Sequence, residues 1–161
     1  MAILKKTFRN RCSGLSFRAG ASFLFPCCFG GRTDRRPRKV FGPVRENRRN
    51  WTAAYASRIW HTEALRVLDR TRLSSAIDDS QVVQLRRDIE LIHGVFHIVA
   101  VTERVLARAG ESFPTVVGTL DAIHLATAMQ IRDTMGVDAF LTHDTQLAAA
   151  AAASGFTVQG V

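Results

Sequence analysis

Cysteine is scarce: three stand among 161 residues, at positions 12, 27 and 28. They are too few and too clustered for a disulfide framework. Vicinal Cys27 and Cys28 have neither the spacing of a CxxC redox motif nor that of paired zinc ligands. Long apolar runs are absent too, and no stretch approaches the ~18 residues of a membrane-spanning helix. No internal repeat is visible, which sets aside repeat architectures. What is present is 47% hydrophobic and 22% charged residues, the proportions of a globular protein, in a length of one domain with a tail.

The net charge of +8 conceals a split. Residues 1–50 hold 13 Lys or Arg against Asp34 and Glu46, a balance of +11, whereas residues 51–161 hold 9 against 12, a balance of −3. A basic surface would by itself point to nucleic acid. Here the basicity belongs to the first segment, so charge does not name the partner.

Residues 1–50 also carry all three cysteines, three of four prolines and six of ten phenylalanines. The basic run 32–39 (RTDRRPRK) has neither helical nor strand periodicity, and Pro37 and Pro43 interrupt either. It reads as a solvated tail, with phosphate contact as the sharper alternative. The apolar run 21–29 makes a poor signal peptide, because Pro26 breaks it and no small-residue cleavage site follows. The expected location is therefore the cytoplasm. No apolar strand is found in this segment, which is expected to be irregular and to precede a domain spanning 51–161.

From residue 51 the pattern becomes orderly. Residues 51–57 (WTAAYAS) read as a strand, and Ser57 as the N-cap of a helix to about residue 72. Asp78 or Asp79 opens a second helix closing at Gly94. A β-rich run, 96–101 (FHIVAV), is followed by Thr102 capping a short helix to about Gly110. A loop with Pro114 leads to a long helix from Thr119 to about 135, then a strand at 138–142, an alanine-rich helix at 145–154 and a last strand at 156–159. Strands alternating with helices predict an α/β fold with a mostly parallel sheet.

In such sheets functional groups gather beyond the carboxyl ends of the strands. Three acids fall there. Glu63 lies in the second turn of the first helix, within about 60° of Ile59, Trp60 and Val67, so its carboxylate leaves an apolar arc. The plain alternative is an ion pair with Arg66 or Arg70. Asp121 opens the long helix, which is apolar almost all round and should be largely buried; a first-turn acid is also favoured by the helix dipole, with Thr119 as cap. Asp144 follows a strand directly and is equally explained as an N-cap. Taken together they form three carboxylates at one edge. Crowded acids repel and raise one another's pKa unless a cation neutralises them. Oxygen ligands suit Mg²⁺ or Mn²⁺, which bind phosphate esters and acidify a bound water. The implied chemistry is metal-assisted hydrolysis of a nucleic acid.

The segment 119–128 (TLDAIHLATA) resembles the signature of PIN-domain ribonucleases of the VapC toxin type. Residues 139–147 (AFLTHDTQL) resemble the strand that delivers that family's last acid, and 56–63 (ASRIWHTE) the helix start that carries its glutamate. Order and spacing agree over 51–161. The resemblance implies a PIN-like α/β/α sandwich and an RNA-cleaving enzyme. It makes Glu63, Asp121 and Asp144 the catalytic acids holding Mg²⁺ or Mn²⁺, with Thr142 ordering that edge by hydrogen bonding. His124 and His143 read as structural rather than as general bases, His124 bonding to Asp121. The implied partners are an RNA substrate, a cognate antitoxin protein that inserts a helix or tail with a basic side chain near the acids, and a second copy of the chain; no membrane is implied. One element departs from the pattern. PIN ribonucleases begin with a central strand ending in an aspartate, and residues 1–50 offer none, Asp34 having no apolar strand before it. A segment read out of frame would have this character, and the upstream nucleotides in the other frames test that. The alternative to the enzyme is an inactive PIN-like module that binds RNA or a protein.

Overall fold

Residues 53–161 and the backbone of a strand at Ala2–Lys5 are described by this computed structural model. The basic run, the three cysteines, Asp34, and the first two residues of the expected strand at 51–57 lie outside the described residues. The strands are β1 (Ala2–Lys5), β2 (Ala53–Ser57), β3 (His97–Val99), β4 (Ala139–Leu141) and β5 (Val158–Gln159). The helices are α1 (Ile59–Leu73), α2 (Asp79–His93), α3 (Glu103–Ala109), α4 (Thr119–Met135) and α5 (Thr145–Ala153).

The strands form one sheet in the order β3-β2-β1-β4-β5. β2 and β3 are parallel, as are β4 and β5, each pair joined through helices. β1 is antiparallel to both its neighbours, β2 and β4. Four strands therefore point one way and the middle one points against them. The strand at Ala2–Lys5 was not expected. Its three apolar residues before two lysines are too short to show a period. Its place is decided by the gap between β2 and β4, a long-range circumstance that local pattern does not carry. The direction has a chemical consequence. Ala2 pairs with Leu141, at the carboxyl end of β4, and Lys5 with Ala53, at the start of β2. The chain following β1 thus leaves from the edge opposite the carboxyl ends of the other strands.

Alternation along the strands separates two cores. Tyr55 and Phe140 face α4 and α5, where Phe140 packs with Leu125, Ile131, Leu147 and Phe156. Ala56 faces α1 and α2 and packs with Trp60, Ala64, Leu68 and Ile89. Trp60, Ala64 and Leu68 repeat every four residues, which puts one face of α1 on the sheet. Between the helices, Trp60 stacks on His93 at 5.8 Å between ring centroids, and His61 Nε2 lies 3.0 Å from Glu90 Oε1. The helix starts follow sequence chemistry. Asp78 caps α2 in a reciprocal capping box with Gln81, and the Thr102 side chain accepts from Val105 N at α3. α1 differs from expectation. Ser57 remains in β2 with its side chain buried toward α4, so it cannot turn back, and Arg58 fills the cap position without a side-chain bond. Among the described residues no helix is long and apolar enough to cross a membrane.

Candidate active site

Three helices begin near the carboxyl edge of the sheet, and each carries one of the acids: α1 with Glu63, α4 with Asp121, α5 with Asp144. α4 is buried along most of its length, as its composition predicts, with Leu125 and Ala128 at 0% exposure. Its N-cap is Gly118 rather than Thr119, and no side chain caps it. Thr119 is already helical. The first-turn amides are thus left to the dipole, which favours the nearby negative charge of Asp121.

Asp121 is half-buried and has no hydrogen bond to its carboxylate among the described residues. Burial pushes its pKa above the ordinary value, and the charges of Asp144 and Glu63 add to the rise while His124 opposes it. The three acids are therefore close enough to feel one another. That is the electrostatic sign of an anionic nest short of positive charge.

Asp144 is nearly buried and its position is doubly fixed. Its Oδ1 accepts from Leu147 N at 2.8 Å as the N-cap of α5, and its own N–H donates to Thr142 Oγ1 at 3.1 Å. The cap reading and the expected ordering by Thr142 both hold. Thr142 is in turn held by β5, its N–H donating to Gln159 O at 3.0 Å. Gly160 makes that closure feasible: with φ +101°, a Cβ there would stand 2.6 Å from the Thr142 carbonyl oxygen.

Glu63 is paired neither with Arg66 nor with Arg70. Arg66 reaches Asp69 instead, and Glu63 Oε2 lies 2.5 Å from His124 Nε2. His124 is 4% exposed. Its expected bond to Asp121, one turn away on the same helix, is replaced by this longer-range one, because the imidazole points across the sheet edge toward α1. Sequence reasoning also missed a buried hydroxyl pair beneath the edge, Thr127 Oγ1 and Ser57 Oγ at 3.3 Å, for which only the inward turn of the strand gave a signal. His143 is half-buried beside Asp144.

The donor set is all oxygen, and Mg²⁺ is commonly held by one or two carboxylates with phosphate oxygens and water completing the shell. Asp121 and Asp144 supply that minimum. Among the described residues no three of His, Cys, Asp and Glu approach closely enough to enclose an ion. Beside the acids, an open groove of about 670 Å³ lies between α3 and the start of α4, lined among others by Leu106, Phe113, Val117, Ala122 and Ile123.

Residues 41–153 match the family described as PIN domain, more than half of the chain. No match was found among curated proteins or among solved structures. PIN domains have a nuclease-type fold and generally use divalent metal ions.

Proposed function

Since the chain belongs to the PIN-domain family, we propose that it is a metal-dependent endoribonuclease of the VapC toxin type, hydrolysing RNA phosphodiesters. The observation that carries this reading is the raised pKa of Asp121, a half-buried carboxyl with no hydrogen bond among the described residues, facing Asp144 and Glu63. Mg²⁺ or Mn²⁺ is the cation that fits, held by Asp121 and Asp144 with Glu63 contributing its second oxygen. When bound, such a cation supplies charge stabilisation to a phosphodiester under attack and a more acidic water. The chain's own part is positioning. The α5 N-terminus and Thr142 fix Asp144, the packed α4 fixes Asp121, and His124 holds Glu63. The reversed β1 brings Ala2 and not an acid to this edge, so the cation is bound by fewer carboxylates than the family pattern supplies, and the enzyme is correspondingly weak.

The protein acts in the cytoplasm and is restrained by an antitoxin whose apolar helix enters the groove at α3 and α4 while a basic side chain meets Asp121. The groove's apolar lining beside an anionic nest supports that partner; a second copy of the chain is the other expected partner. RNA degradation with Mn²⁺ that stops with EDTA and in Asp121→Asn supports the enzyme. Absence of divalent uptake by titration calorimetry at millimolar Mn²⁺ overturns it. A second reading, an inactive PIN-like module, is favoured by the lack of a three-ligand cluster among the described residues. RNA binding that survives EDTA and falls steeply with salt, without cleavage, would select it.

A further inference from the structure

The pair formed by His124 and Glu63 has features that a simple packing contact does not require. Glu63 belongs to α1, which packs on α2; His124 belongs to α4, which packs on α3 and β2. The bond between their side chains spans 61 residues of sequence and is the sole side-chain hydrogen bond between α1 and α4 among the described residues. It therefore joins the two layers of the fold at the edge where the acids meet. The imidazole is almost fully buried, yet its Nδ1 has no partner. A buried orphan nitrogen costs stability, so a histidine is an expensive choice at a position surrounded by Leu125, Ala126 and Ala128. The Nε2–H tautomer suits the contacts: Nε2 donates to the carboxylate, and the bare Nδ1 is an acceptor with nothing to accept. What the ring does achieve is to hold a flexible glutamate, 27% exposed, at a fixed oxygen. No hydrogen bond claims the other oxygen, Oε1, among the described residues.

We infer that His124 is the positioning residue of Glu63, holding Oε2 so that Oε1 is presented to a divalent cation at Asp121 and Asp144. This rests on the reading of the acids as a cation site. The physical reason is pre-organisation: a ligand carboxylate already oriented by an outer partner loses less freedom on binding, and removing such partners typically weakens metal affinity about 10–100-fold. A glue between layers would instead affect folding and leave the cation indifferent.

The test is calorimetric titration of the full chain with Mn²⁺ alone, with a thermal melt of each variant. His124→Leu removes the donor and is expected to weaken Mn²⁺ binding about tenfold or more. His124→Gln, whose amide N–H reaches about as far as Nε2, is expected to restore most of it. Should the leucine variant fail to fold, His124→Asn, with a donor too short to reach, takes its place. Because the residue acts through Glu63, the loss is expected to vanish in a Glu63→Ala background. Unchanged or tighter Mn²⁺ binding in His124→Leu, equal losses in the Leu and Gln variants, or a loss that persists without Glu63 would overturn the inference while leaving the cation site standing. A wild-type chain that takes up no Mn²⁺ overturns both.

Discussion

At Asp121 the folded protein binds a proton more tightly than the unfolded chain does, since its pKa is raised from the ordinary 3.8 by burial first and then by Asp144 and Glu63. Stability contributed by this group is therefore greatest at low pH and declines as pH rises from 3.8 through the folded value. Asp121→Asn is expected to melt higher than wild type at pH 7 by a few degrees, in the absence of divalent cation, with the advantage shrinking as pH falls toward 4. Melts over a pH series check this; a lower midpoint at pH 7 would show the charge to be compensated. The same variant loses Mn²⁺ uptake, so stability and function oppose each other at one atom pair. Asp144 separates its two roles differently. Asp144→Asn keeps an N-cap acceptor and is expected to fold normally but bind Mn²⁺ weakly, whereas Asp144→Ala loses in addition about 1 kcal/mol of stability, read from denaturant melts. The acids themselves were legible in the sequence because each stands at a junction where a strand ends or a helix begins. The partner of Glu63 was not. Helical spacing places His124 on the face of Asp121, but which way an imidazole reaches is settled by an α1 helix 61 residues away.

Among the elements, the helices were read closely and the strands less so. α2, α3 and α5 announce themselves through local side-chain caps at Asp78, Thr102 and Asp144. β1 has no such signal, and four residues take their meaning only from two neighbours far along the chain. Without it, β2 and β4 each lose a hydrogen-bonding partner and the sheet is reduced to two pairs, a size that is marginal in water. Deleting Ala2–Lys5 is expected to abolish cooperative unfolding, followed by far-UV circular dichroism. β5 matters through a single backbone position. Gly160→Ala combines an unfavourable φ with a 2.6 Å approach to the Thr142 carbonyl. It should cost ~1–3 kcal/mol and, by displacing Thr142, weaken Mn²⁺ binding at Asp144. Melts and calorimetry on the same sample distinguish that outcome from a purely local cost.

For the molecule as a whole, charge and chemistry are divided along the chain. Residues 51–161 carry 9 basic against 12 acidic side chains, so RNA approaching the acids meets a mildly repulsive domain, while the +11 balance belongs to residues 1–50. If phosphate contacts come from those cations, RNA affinity of the full chain in EDTA falls by orders of magnitude between 50 and 200 mM salt, as release of several counterions demands. Filter binding across that range measures the slope; a flat response would assign RNA affinity to uncharged contacts. Composition made this division visible at once, and alternating strands and helices made the α/β class visible. The order of the strands and the polarity of the middle one stayed hidden, because they are properties of pairing between distant segments.

A gap bordered by two co-directional strands accepts an occupant of either polarity, and an antiparallel one needs no long crossover to reach it. β1 shows the domain using that freedom at its own midline. The middle of the sheet is in this respect an exchangeable part. A synthetic tetrapeptide repeating Ala2–Lys5 could be supplied in trans to the deletion variant, and an insertion placed just after Lys5 would emerge on the side away from the carboxylates, where a reporter could ride without shielding them.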